Sequence, residues 1–257
     1  MTDAEIPLSG GNTNASVVRV GDTVRRSPGP SAAVVHRFLT HLEEQQIDDV
    51  PRFLGIDPQG REVLTYLPGN TQMPDTLWQD DAALDAAAGL LRSIHDASVG
   101  FVDQPGWASA HPNLREVICH NDFAPYNMVF ADGLPVGIFD FDLAGPGPRL
   151  RDLAYLAYWM VPLSFAAPDL KHHTQHQAKQ GYPRLRRLCV AYGTADHEQL
   201  LHYLSEVLHH MGNAAACAGT LGDNAVRKLD EGGHFAHWQA EAAAFDTHLS
   251  HVRACLS

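Results

Sequence analysis

His120, Asp122, Asn127 and Asp140 are the residues of this chain whose types and spacing could do chemistry together. They lie in Cys119-His120-Asn121-Asp122-Phe123-Ala124-Pro125-Tyr126-Asn127 and in Gly137-Ile138-Phe139-Asp140-Phe141-Asp142. Between Asn127 and Asp140, two short apolar segments flank Asp132-Gly133, a pattern that predicts a hairpin returning the chain to one spot. An amide oxygen and a carboxylate could share a hard cation there, leaving Asp122 free to meet a hydroxyl. Those are the groups that Mg²⁺-assisted phosphoryl transfer requires. Asp and Asn in loops also serve as plain turn formers through bonds to nearby backbone, but four such residues together tilt the balance towards chemistry.

Elements on both sides must position this constellation. Near the N-terminus, the residues from about Ser16 to Val24 alternate and break at Gly21-Asp22, predicting a hairpin with Val18, Val20 and Val24 in paired strands. Gly10-Gly11-Asn12-Thr13-Asn14 just before it is a turn-forming stretch. Ser31 is placed to cap a helix in which Val34, Val35, Phe38, Leu39 and Leu42 recur at helical spacing. Glu62 to Leu67 reads as a strand stopped by Pro68-Gly69. From Asp80 an Ala-rich helix carries Leu84, Ala87, Leu90, Leu91 and Ile94 on one face, with His95 near its end. Short apolar segments follow at Glu116 to Cys119, Asn127 to Phe130 and Leu134 to Asp140. The remainder reads as helical, with breaks near Gly181-Tyr182-Pro183, Gly193 and Gly222. A boundary at Pro68-Gly69-Asn70 divides a sheet-bearing N-lobe, residues 1–67, from a mainly helical C-lobe, residues 68–257.

Composition narrows the functional class. At 257 residues, with 45% hydrophobic and 19% charged residues, the chain is that of a folded protein of one two-lobed unit or two modest domains. A net charge of -12 argues against nucleic acid as a partner, because phosphate-backbone binding needs clustered Lys and Arg. No apolar run is long enough to cross a bilayer and no cleavable signal stands at the N-terminus, so the expected location is the cytoplasm. Cys119, Cys189, Cys217 and Cys255 are scattered and read as reduced thiols. His172, His173 and His176, or His209 and His210, lack the Cys or acid partners of a metal site and read as solvated faces.

His120-x-Asp122-x-x-x-x-Asn127 has the form of the kinase catalytic loop, and Asp140-Phe141-Asp142 resembles the metal-binding D-F-G with its Gly replaced. Together with Gly145-Pro146-Gly147-Pro148-Arg149 and Arg151-Asp152-Leu153-Ala154-Tyr155, these motifs resemble the aminoglycoside phosphotransferase family, the small-molecule branch that includes choline and homoserine kinases. The resemblance implies a protein-kinase-like α+β fold of two lobes and transfer of the γ-phosphate of ATP or GTP to a hydroxyl of a small molecule. It further implies Asp122 as catalytic base, Asn127 and Asp140 as Mg²⁺ ligands, and His120 and Asp152 as the scaffold of the catalytic loop. Asp142 reads equally as a supporting acid or a turn residue.

The N-lobe departs from the family pattern. A kinase-like fold uses a strand lysine on the α- and β-phosphates, and the lysines here are Lys171, Lys179 and Lys228, all in the C-lobe. Arg25 and Arg26 stand on the strand before the first helix, and guanidinium binds phosphate oxygens well. Arg26 is preferred, since alternation puts it on the face of Val24. For the partner of that cation, His36 falls near where the family places an acid, while Glu43 and Glu44 lie about two turns later. By the resemblance, Gly10 to Asn14 would cover the phosphates, and Thr65, Tyr66 and Leu67 would form the hinge that binds the purine. Tyr155, Tyr158, Trp159 and Met160 read as core, or as the lining of an acceptor pocket. Asp196, Glu198, Glu206 and Asp230 would suit an aminoglycoside or another amino alcohol. The other reading is a nucleotide-binding pseudoenzyme or partner-binding module that has lost the lysine.

Overall fold

A computed structural model describes residues 4–8 and 17–256. Its N-terminal lobe is an antiparallel sheet of β1 (Ile6–Pro7), β2 (Val18–Val20), β3 (Thr23–Arg26), β4 (Phe53–Ile56) and β5 (Glu62–Thr65), in the order β1-β2-β3-β5-β4. The β2–β3 hairpin turns at Gly21-Asp22 as the sequence predicts, with Val20 opposite Thr23 and Gly21 at φ 58°. Arg26 pairs with Glu62 at the end of the β3–β5 ladder. Helix α1 (Ala32–Glu44) buries Val34, Val35, Phe38, Leu39 and Leu42, the stripe read from the sequence. Ser31 does not cap it. Its hydroxyl instead accepts the Ala108 N–H at 2.9 Å, tying the helix start to a C-lobe loop.

The chain leaves the sheet after Thr65, two residues short of the predicted strand end, and crosses to the C-lobe. Asn70 exchanges backbone bonds with Phe130 at 2.9 and 2.7 Å. This crossing depends on Gly69, at φ 142°, where a Cβ would meet Val129 Cγ1 at 2.4 Å and the Phe130 carbonyl oxygen at 2.8 Å.

Helix α2 (Asp81–Ser98) opens the C-lobe, with the Asp80 carboxylate accepting the Ala82 and Ala83 N–H groups at 2.8 and 3.2 Å. Strand β6 (Val117–Cys119) leads into the loop of His120 to Asn127, and β7 (Met128–Ala131) and β8 (Leu134–Ile138) form the hairpin predicted about Asp132-Gly133, with φ 51° and 83° at the turn. A short strand β9 (Gly145–Gly147) pairs with β6. Helix α3 (Arg149–Met160) follows, then α4 (Lys171–Lys179), α5 (Pro183–Tyr192), α6 (His197–Met211), α7 (Ala214–Leu221), α8 (Asp223–Glu231) and α9 (His234–Leu256). The predicted breaks fall where Tyr182, Gly193 and Gly222 take positive φ. Helix α6 packs between α3 and α9, and α2 lies against α5, and the continuous apolar core takes in Phe123 and Ala124 of the loop after β6. Among the described residues no helix is long and apolar enough to cross a membrane.

Candidate active site

Three buried side chains on different elements shape the loop after β6. Asp152, in the first turn of α3, is 1% exposed and accepts the N–H groups of His120 at 2.6 Å and Asn121 at 2.9 Å. Nε2 of His95 on α2 lies 3.2 Å from the same carboxylate, and its Nδ1 meets the Tyr192 hydroxyl of α5 at 2.7 Å. Burial would raise the Asp152 carboxyl, but the bond to His95 and the charges and N–H groups around it win, and it is held below its ordinary value. Cys119 completes the cluster, its buried thiol pushed well up by desolvation and bonded to the Pro148 carbonyl at 3.3 Å. With those bonds made, His95, Cys119 and Asp152 act as a brace for the loop.

The brace turns the loop sharply. Asn121 takes φ 63°, and its side chain bridges the Leu143 carbonyl at 2.9 Å and Arg151 Nε at 2.8 Å. His120 Nε2 donates to the Phe139 carbonyl at 3.0 Å while its Nδ1 accepts the Asp122 N–H at 3.3 Å. That pair of bonds couples the loop after β6 to the residue before Asp140. A second coupling comes from the Phe139 N–H, which reaches the Asn127 carbonyl at 3.0 Å. The chain at Asn127 and the chain leading into Asp140, thirteen residues on in sequence, therefore join across the base of the β7–β8 hairpin, with Asp140 at φ 70°.

Asp122 is partly buried, and that burial raises its carboxyl despite bonds to Tyr126 and Asn127. Asn127 Nδ2 donates to Asp122 Oδ2 at 2.8 Å and to the Asp122 carbonyl at 3.0 Å, which turns its amide nitrogen to the loop and leaves the amide oxygen as the atom a cation could take. That oxygen and the Asp140 carboxylate are hard donors of the kind Mg²⁺ selects, so the residues present fit the ion.

Arg26 spans the lobes to this point. Its Nε donates to Glu62 Oε1 at 2.6 Å, its Nη1 to Asp140 Oδ1 at 3.0 Å and to Asp142 Oδ2 at 3.2 Å, and its Nη2 to Asp142 Oδ1. Desolvation opposes the charge, but the carboxylates of Asp142, Glu62 and Asp140 outweigh it and hold the guanidinium above its ordinary value. Burial in turn raises Asp142, against the pull of Arg26. Arg25 points elsewhere, 3.7 Å from Asp57.

The acid beside Arg26 is not on α1. It is Glu62 of β5, 2% exposed, and His36 of α1 bonds its second oxygen at 2.5 Å while stacking on Phe53 at 3.7 Å. Glu43, weighed from sequence for this place, lies instead 3.5 Å from Arg52. Of the residues read as a hinge, Thr65 and Tyr66 have already committed their N–H groups, to the carbonyls of Arg52 at 3.0 Å and Asp22 at 2.9 Å. The Tyr66 ring lies under the Arg19 guanidinium at 3.8 Å, and Leu67 lies on the crossing beside Gly137. Gly10 to Asn14 lies outside the described residues.

Of the acidic residues weighed from sequence for an amine-bearing acceptor, three have partners on the later helices. Asp196 caps α6, Glu198 pairs with Arg253 at 2.8 Å, and Glu206 lies 3.5 Å from His202. The neighbours of Asp122 towards α3 are aromatic. Tyr126 bonds Asp122 and lies 3.0 Å, oxygen to oxygen, from Tyr155, and it meets Trp159 edge to face with ring centres 5.3 Å apart. Tyr158 and Trp238 continue that wall. Tyr126, Glu62 and His95 were not singled out from the sequence as site residues. Only Tyr126 had a usable signal, its place inside the H-x-D-x-x-x-x-N stretch.

Residues 5–111 and 105–188 match the family described as phosphotransferase enzymes. A trifolitoxin immunity protein of Rhizobium leguminosarum bv. trifolii is 36% identical over 164 residues, 61% of this chain and 61% of that protein. The aligned stretch thus spans less than two thirds of that relative. The fold matches a choline/ethanolamine kinase family protein from Mesorhizobium loti at 22% identity, covering 98% of this chain and 93% of the other with a TM-score of 0.57. It also matches an ADP-bound aminoglycoside phosphotransferase at 12% identity, covering 95% of each chain with a TM-score of 0.59.

Proposed function

The chain belongs to the phosphotransferase enzyme family, and from that premise we propose that it moves the γ-phosphoryl group of ATP or GTP to a hydroxyl of a small molecule. One observation carries the reading: Asp122, on a loop braced by Asp152 and His95, stands beside Asn127, which the Phe139 N–H draws to Asp140. In this reading Asp122 orients the acceptor hydroxyl and takes its proton as the phosphorus–oxygen bond forms. Arg26 moves from Asp140 and Asp142 to phosphate oxygens, keeping Glu62 as its anchor, because guanidinium binds both kinds of anion with the same fork. Mg²⁺, held by Asn127 and Asp140, would offset charge on the phosphates. Leu67 supplies the purine-facing backbone, and the aromatic wall of Tyr126, Tyr155 and Trp159 faces the acceptor. The cytoplasm, where both nucleotides are present, is the proposed compartment.

The test is release of nucleoside diphosphate with ATP and with GTP, with and without Mg²⁺, against aminoglycosides, choline, homoserine and sugar alcohols. Trifolitoxin joins the panel because of the relative's name. Mg²⁺-dependent turnover that one acceptor raises and Asp122→Ala removes is the expected result. A second reading is favoured by one contact: Arg26, in place of lysine, already ion-pairs with Asp140 and Asp142. If it never releases them, the chain is a nucleotide-binding or partner-binding module. Nucleotide binding with no acceptor-dependent turnover, unchanged in Asp122→Ala, selects that reading.

A further inference from the structure

The two oxygens of the Asp122 carboxylate are divided between partners. Oδ2 takes the Asn127 amide at 2.8 Å, and Oδ1 takes the hydroxyl of Tyr126, in the single turn Pro125–Asn127 of the catalytic loop itself. A phenol has one proton, and Tyr126 spends it on Asp122. The Tyr155 hydroxyl, 3.0 Å away, is therefore the donor to Tyr126 Oη, whose second lone pair is left over. This is the relation that an acceptor hydroxyl must have to the base of a phosphotransferase: its proton directed at the carboxylate, its oxygen fixed, one lone pair to spare. The ring is 37% exposed and braced edge-on by Trp159, so the oxygen is held from behind by the wall of α3.

Resting on the phosphotransfer reading above, we propose that Tyr126 is itself a phosphoryl acceptor, modified in cis by the bound nucleoside triphosphate when no external acceptor fills the site. The bond from the γ-phosphorus to the oxygen bridging it to the β-phosphate breaks, and a phosphorus–oxygen bond to Tyr126 Oη forms. The Tyr126 proton passes to Asp122 Oδ1, and the nucleoside diphosphate leaves with the electron pair of the broken bond. Holding nucleophile and base on one loop makes the step intramolecular, which favours it even for a poor nucleophile. The product places a phosphate where an external hydroxyl would meet Asp122, so self-modification lowers turnover of any external acceptor, and a saturating acceptor protects Tyr126.

The whole chain is incubated with Mg²⁺ and ATP or GTP without acceptor. Its mass and peptides are then read by mass spectrometry, while calorimetry follows nucleotide binding in parallel. The expected result is one phosphoryl group per chain on the peptide bearing Tyr126, at a fractional rate independent of protein concentration. Tyr126→Phe loses it, and Asp122→Asn loses it while still binding nucleotide. Three results overturn the proposal: a wild-type chain that binds nucleotide yet gains no phosphate on Tyr126, full labelling of Tyr126→Phe, or a rate that rises with protein concentration. Absence of nucleotide binding altogether overturns the phosphotransfer reading as well, and calorimetry tells that failure from the first.

Discussion

Asp122 sits on a loop braced from below by Asp152 and His95, which take no part in the proposed reaction, and this division of labour makes its own contribution separable. Asp122→Asn keeps the bulk of the side chain and leaves Arg26 and Asp140 untouched, so nucleotide binding is expected to persist while turnover falls by roughly 10²–10⁴, the usual worth of a positioned base. Steady-state kinetics with a fixed acceptor checks this through kcat against the nucleotide KM. Glu62→Gln makes the opposite split. It weakens the anchor of Arg26 without touching Asp122, raising the nucleotide KM more than it lowers kcat, and it costs no more than about 3 kcal/mol of stability because Arg26 keeps Asp140 and Asp142. An unchanged nucleotide KM would mean that Glu62 only supports the sheet. The contrast between these residues also explains what the sequence could disclose. His120, Asp122, Asn127 and Asp140 lie within one loop and one hairpin, where spacing alone suggests proximity. Glu62 meets Arg26 only because β3 and β5 pair in the register that sets those two residues opposite each other, and no local pattern announces a register between strands separated by a helix.

Elements that follow periodicity were legible, and those made by long-range contact were not. The buried stripe of α1 and the Ala-rich face of α2 both stand as the spacing of apolar residues predicts. The hairpins at Gly21-Asp22 and Asp132-Gly133 do likewise, because turn chemistry is local. Strand β9 was missed, since Gly145-Pro146-Gly147 has the composition of a turn and becomes a strand only by lying on β6. A Cβ on Gly145 would stand 1.8 Å from the Ser109 carbonyl oxygen, so the glycine is there for a neighbour far away in sequence. Ser31 was read as a cap because its type suits one, whereas its hydroxyl serves Ala108. The crossing between lobes has the same character, and Gly69→Ala tests it. A left-handed residue whose Cβ strikes Val129 and the Phe130 carbonyl is expected to cost roughly 1–3 kcal/mol, read as a lowered urea midpoint. Little effect would show that the crossing can shift without disturbing the pairing of Asn70 with Phe130.

Across the whole molecule, buried carboxylates pull stability in opposite directions with pH, and the site contains both kinds. Asp152 is held below its ordinary value of 3.8, so the folded chain binds its proton less readily than the unfolded chain does. Its contribution is therefore present above that value and is lost as pH falls through it towards the folded pKa. Asp142 is raised above 3.8 chiefly by burial, so the folded chain binds that proton more readily. Stability is then greatest below 3.8 with respect to Asp142 and declines as pH rises through that value to the folded pKa, after which the cost is constant. Asparagine at either position removes the titration and its linkage. Relative to the parent chain, Asp152→Asn should be most destabilising near neutrality, with the difference shrinking as pH drops below the ordinary carboxylate value. Asp142→Asn should show the reverse trend, gaining on the parent as pH rises through the carboxylate range. Urea unfolding of the three proteins between acid and neutral pH measures both slopes in one experiment. If the two variants drifted in the same direction, the opposition between the brace beneath the loop and the acid pair facing Arg26 would be wrong. If only the Asp142→Asn slope vanished, Arg26 would be compensating the burial of Asp142 completely, and the interlobe ion cluster would be bound tightly enough to compete with phosphate for the guanidinium.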